Sequence, residues 1–454
     1  MTRNNYIGIL PQSNLQSLGL EIFTTPLGQL ILASKLKGSI HPRVFNLDVT
    51  PITNFLEYFN SIQEKVTVGL TITSGNIANS FHLAKQLKQQ GAKVILGGPE
   101  VSMSGPKLLE YHDYVDGIVI GAGEKVIEDI LFGRPNPNYL TRDNYTTVNN
   151  QQNKFYKLSF DEIEIDYNLL YDLDKLNGVS YLWGNDCSLA YNRCYFCGRL
   201  ALGKGYRPSS KIWKELNHLY ANGIKFYYNT TDSITTNKKA FREFVLSKPS
   251  QMLDDKHRVF VNANQVDDFV IESLKLLNGV AVIGFESFGN FDNTQKLGAS
   301  VKNNLEVIEK LANNKLKFVL SFVLGLPSED VSSLETTSEG IIKLVKLYGE
   351  LIDAIHISPL LITTGSKAYH DLFSVPLIQE KYKYDSYPYD PIKMSNDYFN
   401  LFCKISREDA LVSASKTIKK VNGLHPQIKI GLKGVLESEL DFIKKYNLKY
   451  EPAS

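Results

Sequence analysis

The sequence contains little cysteine, no long apolar run and almost no net charge, and each of these absences excludes a class of protein. Four cysteines in 454 residues are too few for a secreted fold held by disulfide bonds. Apolar runs such as 318–320 and 322–324 are no longer than strands, and residues 1–6 lack the apolar core of a signal peptide. With 50 basic and 48 acidic residues, the net charge of +2 gives no reason to expect a nucleic acid or a membrane surface as partner. We therefore expect a cytoplasmic protein that acts on a small molecule or a peptide.

Two common nucleotide-binding motifs are also missing. The chain has no G-x-G-x-x-G dinucleotide fingerprint and no Walker A loop. Its composition, 43% hydrophobic and 22% charged, is that of an ordinary folded protein. Because 454 residues exceed what one compact core usually holds, we expect two or three domains.

Residues 1–135 alternate short apolar runs with helix-period segments, which predicts a doubly wound parallel sheet. Such sheets bind ligands beyond the carboxyl ends of their strands. Small and hydroxyl residues stand at those ends, where a large ligand would contact the backbone: Thr73, Ser74, Gly97, Gly98, Gly121, Gly123 and Glu124. The alternative is that the glycines only make tight strand-to-helix turns.

Residues 136–175 are rich in Asn, Pro, Gln and Tyr and read as a linker. From 176 to 365 the alternation resumes with six strands in one direction, which predicts a partial β/α barrel with its active site at the carboxyl ends. Residues 366–454 predict a small, mostly helical region that helps to shape the substrate site. Its tyrosine-rich segment, 381–389, could line a cleft or pack as a surface loop.

Three of the four cysteines fall within eleven positions, directly after the first barrel strand. Six residues separate Cys187 from Cys194, and two separate Cys194 from Cys197. A redox pair of Cys194 and Cys197 leaves Cys187 unexplained, and a structural zinc site usually needs a fourth ligand, for which no second cysteine or histidine pair is present. Three thiolates on a 4Fe-4S cluster would leave one iron open to a cofactor or substrate. Cys403 stands alone and is expected to be a small buried apolar residue.

Together, these motifs resemble those of cobalamin-binding radical S-adenosylmethionine (SAM) enzymes over about residues 5–370. In the first domain the similarity lies in V-T-V-G-L at 66–70, G-G-P-E at 97–100 and V-D-G-I-V-I-G-A-G-E at 115–124. In the second it lies in the cysteine segment, G-F-E-S at 284–287, K-L-G at 296–298 and G-L-P-S-E at 325–329.

The resemblance implies three cofactors: a 4Fe-4S cluster, SAM and cobalamin. It implies that Cys187, Cys194 and Cys197 bind the cluster and that the glycine-rich strand ends of the first domain contact cobalamin. The residues implied to contact SAM are Phe196, Asp232, Asn264, Glu286 and Ser287. Two departures from the family pattern stand out, because the chain has C-x6-C-x2-C where C-x3-C-x2-C is usual, and it lacks the D-x-H-x-x-G motif that supplies a histidine to cobalt.

The activity implied by the resemblance is methyl transfer to an unreactive carbon through a 5'-deoxyadenosyl radical, with an external reductant such as flavodoxin or ferredoxin. A radical rearrangement, cyclisation or oxidation with the same cofactors is the alternative. Methylthiotransferases carry cluster cysteines in their first domain, whereas residues 1–186 contain none. A non-catalytic cobalamin or metal carrier is the hypothesis from a different class.

Overall fold

The structure is a computed structural model. It describes residues 5–13, 15–18, 25–145, 159–187, 194–199, 204–296, 299–382, 390–436 and 439. The segment 188–193 between Cys187 and Cys194, most of the tyrosine-rich segment and nearly all of the predicted helical region after residue 436 lie outside these residues. Within the described part of the chain, no helix is both long and apolar enough to span a membrane.

The amino-terminal part of the chain folds as a six-stranded sheet with helices on both faces. The elements of this part are, in chain order, β1 (Asn5–Leu10), β2 (Leu15–Leu18), α1 (Leu27–Leu36), β3 (Pro42–Asn46), α2 (Ile52–Ser61), β4 (Val66–Thr71), α3 (Ile77–Gln89), β5 (Lys93–Gly97), α4 (Pro99–Ser104), α5 (Lys107–Tyr111), β6 (Gly117–Val119), α6 (Ile127–Phe132) and β7 (Tyr139–Leu140). Of these strands, β2 belongs to the second sheet, which is described below. The spatial order is β3-β1-β4-β5-β6-β7. Five strands are parallel, and β7 pairs antiparallel with β6 at the edge.

The strand sequences explain why this sheet is covered on both faces. In β4, neighbouring residues such as Val66, Thr67 and Val68 are all buried, although their side chains point to opposite faces. The doubly wound parallel sheet predicted from the sequence is thus confirmed, with the antiparallel β7 as an addition. Because Tyr139–Leu140 belongs to this sheet, the sheet continues past the predicted boundary at residue 135.

The second sheet has eight strands and curls into a half-barrel. Its elements and neighbours are β8 (Gly178–Tyr181), the short hairpin pair β9 (Gly184–Asn185) and β10 (Gly205–Tyr206), α7 (Ser209–Ala221), β11 (Phe226–Asn229), α8 (Lys238–Leu246), β12 (Lys256–Val261), α9 (Asp268–Leu277), β13 (Gly279–Glu286), α10 (Val301–Asn313), β14 (Phe318–Leu324), α11 (Val331–Tyr348), β15 (Ile352–Pro359), α12 (Lys367–Phe373), α13 (Pro376–Lys381), α14 (Pro391–Phe402), α15 (Arg407–Leu424) and β16 (Lys429–Leu436). The order is β2-β16-β15-β14-β13-β12-β11-β8.

The six strands predicted for the barrel are confirmed, and the structure adds two more. The seventh parallel strand is β16, which comes from the carboxyl-terminal region and pairs with β15. The eighth is β2, which leaves the amino-terminal part and pairs antiparallel with β16. The sequence missed both because each pairs with a strand far away along the chain, and pairing over such a distance leaves no local pattern. The four helices α12 to α15 agree with the mostly helical character expected for this region.

Residues 159–175, the second described part of the predicted linker, pack between the two sheets. Leu170 bridges to Val44 of β3, and the Tyr167 hydroxyl donates a 2.8 Å hydrogen bond to the carbonyl of Ser180 in β8. Since both contacts are buried, the linker ties the first sheet to the first strand of the barrel.

Candidate functional site

A cavity of about 350 Å³ lies under α1, on the face of the first sheet formed by β4, β5 and β6. It opens at the carboxyl ends of these strands, where the sequence predicts a ligand. Its lining includes Tyr6, Gln29, Leu32, Gly69, Thr71, Gly97, Gly98, Ser102, Gly121, Gly123, Glu124 and Ile127. Five of the seven residues predicted to contact cobalamin are among them. Thr73 and Ser74 lie in the turn after β4 and do not line it.

The glycines of this cavity leave space that other residues would occupy. At Gly97, a Cβ atom would have no other heavy atom within 4 Å. Gly98 has a φ of 104°, and a Cβ atom there would lie 2.6 Å from the carbonyl oxygen of Ile72. Gly121 also has a positive φ, of 81°. The open wall at Gly97 fits a large ligand that presses against backbone.

A chain of buried polar side chains crosses the cavity wall. The Tyr6 hydroxyl donates to Oε1 of Gln29 at 2.5 Å, and Nε2 of Gln29 donates to the Thr71 hydroxyl at 2.8 Å. The sequence reasoning missed Tyr6 and Gln29. A signal for them exists, because Gly69 in the middle of β4 and Gly8 in the middle of β1 leave room for these two side chains.

Glu124 brings a carboxyl group to the same cavity. Its Oε2 atom is buried and has no hydrogen-bond partner among the described residues. Burial raises the pKa of Glu124, although the nearby Lys35 opposes the shift. A carboxyl group in this state could donate a hydrogen bond to a ligand amide or hydroxyl.

The three clustered cysteines form no disulfide bond and are half-buried at the carboxyl ends of the barrel strands. The Cys197 amide donates a 3.0 Å hydrogen bond to the carbonyl of Cys194, which closes a tight turn between them. The predicted six-residue loop between Cys187 and Cys194 is outside the described residues.

Contacts from two barrel loops fix this turn. The Tyr195 amide donates to the carbonyl of Thr294 at 2.9 Å, and the Tyr195 carbonyl accepts from the amide of Ala368 at 3.1 Å. The Thr363 hydroxyl donates to the Phe196 carbonyl at 3.1 Å. The turn is therefore held by the loops that follow β13 and β15 rather than by secondary structure of its own.

The electrostatic surroundings of Cys194 favour the neutral thiol unless a cation is present. Burial raises the pKa of Cys194 to about 12, and the charge of Glu286 adds to the rise while Lys296 opposes it. The other two cysteines add smaller contributions of the same sign as Glu286. A metal centre would reverse this balance, because its positive charge stabilises thiolates.

The donor set is consistent with an iron-sulfur cluster, since it consists of sulfur alone. Within the described residues, no three histidine, cysteine or carboxylate side chains converge as the ligands of a single ion would. Cluster cysteines need not converge in that way, because each binds a different iron atom.

Glu286, predicted to contact SAM, ends β13 beside this turn. Its φ of 72° lies in the left-handed region, which is uncommon for a residue other than glycine. Its carboxylate pairs with Nζ of Lys296 at 3.0 Å, and the same ammonium group donates to the Gly284 carbonyl at 2.6 Å. The register shifts between Gly284 and Glu286, as in strand irregularities near active sites.

The other residues predicted to contact SAM are spread along the strand ends. Asp232 follows β11 and forms a 2.6 Å ion pair with Arg199, two positions after Cys197. Burial raises the pKa of Asp232, and the charge of Arg199 opposes the rise. Asn264 is exposed in a short turn after β12. Ser287 is fully buried.

The hydroxyl of Ser287 takes part in a local network, because it lies 3.1 Å from the Thr337 hydroxyl and accepts from the amide of Asn290 at 2.9 Å. Arg199 was not singled out in the sequence, and Lys296 was singled out only as part of the K-L-G motif, with no role assigned to its side chain. Their roles depend on partners in other loops, which no local motif reveals.

Comparison with known proteins gives the same architecture. No protein-family model matches the chain. A sequence relative, an uncharacterized methyltransferase of Pyrococcus horikoshii, is 24% identical over 336 residues, which cover 69% of this chain and 72% of the relative.

Two solved enzymes match over most of their length. The radical SAM methyltransferase TsrM of Kitasatospora setae, with cobalamin and a 4Fe-4S cluster bound, gives a TM-score of 0.60 at 15% identity, covering 83% of this chain and 76% of its own. The cobalamin-dependent SAM radical enzyme OxsB gives 0.61 at 13% identity, covering 98% and 70%. The chain has the fold of these enzymes. The fold expected from the sequence resemblance is thus confirmed.

Proposed function

We propose that the protein is a cobalamin-dependent radical SAM enzyme, most specifically a methyltransferase that acts on an unreactive carbon of a small molecule or peptide. The observation that carries the proposal is the pairing of two sites on one fold. One is a cavity open to the backbone of Gly97 in the first sheet, and the other is the group of three thiols, none of them in a disulfide bond, at the mouth of the half-barrel.

In this proposal Cys187, Cys194 and Cys197 hold a 4Fe-4S cluster, and the first-sheet cavity holds part of a cobalamin. When bound, these groups and SAM supply a 5'-deoxyadenosyl radical and a transferable methyl group. The protein residues bind and orient them: the loops after β13 and β15 hold the cysteine turn, and the Lys296 ammonium neutralises the Glu286 carboxylate beside it. Asp232 and Arg199 supply a carboxylate and a guanidinium at the same mouth.

The cobalamin assignment is supported by the cavity and by the TsrM structure, which was solved with cobalamin bound. The absence of a D-x-H-x-x-G histidine in this sequence leads us to propose a cobalt without an imidazole ligand from that motif. A further TsrM structure contains tryptophan as substrate. That neighbour makes a small molecule a reasonable substrate class here, and an external flavodoxin or ferredoxin would supply electrons.

We favour methyl transfer over other radical reactions because two similar proteins are methyltransferases by name. TsrM is a methyltransferase, and the Pyrococcus horikoshii relative carries the same description. The fold alone does not separate the outcomes, because OxsB, described only as a cobalamin-dependent radical enzyme, matches equally well. Rearrangement, cyclisation or oxidation remains the second candidate, and product mass distinguishes them, since methylation adds one methylene unit.

The test is anaerobic reconstitution with iron, sulfide and hydroxocobalamin, followed by counting of iron, sulfide and cobalt. After reduction with SAM present, we expect 5'-deoxyadenosine to form in the wild type and to disappear in Cys194→Ala. Cys403→Ala is the matched control. Its sulfur lies 3.5 Å from the carbonyl oxygens of Gly325 and Leu326, outside the cysteine turn, so iron content and cleavage should persist.

Three results would contradict the proposal. A wild-type protein that binds cobalt but assembles no cluster and cleaves no SAM would indicate a cobalamin carrier instead. A protein that assembles the cluster but retains no cobalt would remove the cobalamin assignment. Equal SAM cleavage in Cys194→Ala and the wild type would contradict the assignment of the three cysteines as cluster ligands.

A further inference from the structure

One buried hydrogen bond joins the helix that follows the first-sheet cavity to a loop that holds the cysteine turn. The Thr364 hydroxyl, in the loop after β15, donates to Oε2 of Glu100 at 2.7 Å. The two residues are 264 positions apart, and their exposed fractions are 7% for Thr364 and 5% for Glu100. A hydrogen bond to a carboxylate away from water is stronger than one between neutral groups.

On the first-sheet side, Glu100 comes directly after Gly97, Gly98 and Pro99, which line the cavity. It is the second residue of α4, which begins at Pro99 directly after Gly97 and Gly98. The Glu100 amide donates a 3.4 Å hydrogen bond to the Ile72 carbonyl, the same oxygen that a Cβ atom on Gly98 would contact. A ligand that presses on this glycine turn therefore presses on the segment that carries Glu100.

On the barrel side, Thr364 belongs to the loop that holds the cysteine turn. The neighbouring Thr363 hydroxyl donates to the Phe196 carbonyl. A Cβ atom on Gly198 would lie 2.7 Å from the Thr364 carbonyl oxygen, so the two backbones are in close contact directly after Cys197. Any shift of Thr364 is passed to the cluster turn through these contacts.

A second contact lies beside the hydrogen bond. Gly365 has a φ of 79°, and a Cβ atom on it would collide with Cε of Met103, which is in α4. The backbone of the β15 loop thus lies against α4 at two adjacent residues. Two contacts of this kind fix both position and orientation, whereas one alone would allow rotation.

We propose that Glu100 and Thr364 are positioning residues that couple the cobalamin cavity to the cluster and SAM site. The inference rests on the proposed function and adds a regulatory contact to it. Because each cofactor orders one side of the same buried contact, binding of one favours binding of the other, and the effect is reciprocal. Such a contact also keeps the two reacting centres at a fixed separation, as group transfer requires.

The test measures the dissociation constant of hydroxocobalamin with and without the aza analogue of SAM, in cluster-reconstituted protein under anaerobic conditions. In the wild type we expect the analogue to tighten cobalamin binding by about fivefold or more. The coupling ratio is the dissociation constant of hydroxocobalamin without the analogue divided by the constant with it. In Thr364→Val and in Glu100→Ala the coupling ratio should fall towards one. The double variant should have a coupling ratio no lower than that of either single variant.

Conservative variants distinguish loss of the hydrogen bond from a general loss of folding. Thr364→Ser keeps the donor hydroxyl, and Glu100→Gln keeps an acceptor oxygen, so both should retain most of the wild-type ratio. Thr336→Val is the matched control, because Thr336 is an exposed helical threonine whose hydroxyl donates to the carbonyl of Ser332 in the same helix. The Thr336→Val variant should keep the wild-type ratio of cobalamin dissociation constants without and with the analogue.

Two outcomes would overturn the coupling: a ratio of one in the wild type, or an unchanged ratio in both Thr364→Val and Glu100→Ala. If both of these variants fail to fold, hydrogen exchange in the wild type decides. Hydroxocobalamin should then slow amide exchange in 194–199 and 363–368, and unaltered exchange there overturns the inference. Failure of the proposed function gives a different result, because the wild type would then bind no cobalamin or no analogue.

Discussion

The cavity in the first sheet can be tested at a single glycine. Gly97 lines the cavity, ends β5 and has only open space where its Cβ atom would be. Gly97→Phe therefore places an aromatic ring in a volume of about 350 Å³ without displacing a neighbour. If cobalamin occupies this volume, the ring and the ligand compete for it.

The expected magnitude follows from the cost of overpacking. Forcing an extra group into a filled site costs about 1–3 kcal/mol, which corresponds to weakening of cobalamin binding by about 5- to 150-fold. The stability of the ligand-free protein should not fall, because a strand glycine is itself unfavourable by roughly 0.5–1 kcal/mol. Gly97→Ala should share this stabilisation while binding cobalamin nearly as well as the wild type.

The assay is absorbance titration with hydroxocobalamin, accompanied by thermal unfolding of the ligand-free protein. Gly423→Phe is the matched control, because Gly423 is exposed near the end of α15 and also has open space at its Cβ position. The reasoning is refuted if folded Gly97→Phe binds cobalamin as tightly as Gly423→Phe does, since the cavity would then not be the cobalamin site.

Three further changes test the physical account of the fold and site. Lys296→Met leaves the buried Glu286 carboxylate without its ion-pair partner, so urea unfolding should show a loss of about 3 kcal/mol or more, and adding Glu286→Gln should recover part of it. Gly69→Ala places a Cβ atom against the Tyr6 hydroxyl and should cost about 1–3 kcal/mol; Tyr6→Phe in the same chain should reduce that cost, as thermal unfolding can show. Burial lowers the pKa of His257, although Asp255 opposes the shift. Because the unfolded state therefore takes up the proton first as the pH falls, the free energy of unfolding should decline below about pH 6.5. The decline should be smaller in His257→Asn, and parallel curves of stability against pH for the two proteins would contradict this.

The alternation of strands and helices was predictable because each strand is a local feature. Apolar runs such as 66–72 and 93–96 are read from neighbouring residues, and both are strands in the structure. What the sequence could not predict depends on pairing between distant segments. The strand β16 is an example, since it is part of the barrel only because β15 and β2 flank it.

The candidate site shows the same division. The glycines at 97, 98, 121 and 123 could be singled out because small residues at strand ends are a local signal, and all four line the cavity. Tyr6 and Gln29 were missed, because the glycines that leave room for them, Gly69 and Gly8, can be matched to these side chains only when the neighbouring elements in the fold are known. The roles assigned to the three cysteines and to the residues predicted to contact SAM stay predictions until cofactor binding is measured.

The unusual spacing of the cysteines is compatible with how the cysteine turn is held. Residues 194–199 contain no helix or strand. The backbone of Tyr195 and Phe196 is hydrogen-bonded to Thr294, Thr363 and Ala368, roughly 100 to 175 residues later in the chain. Among the described residues, the barrel loops therefore hold the turn between Cys194 and Cys197. We expect a first loop of six residues instead of three to affect the approach of Cys187 more than it affects this turn. It follows that deletion of three residues from 188–193 should alter access to the cluster more than it alters the positions of Cys194 and Cys197.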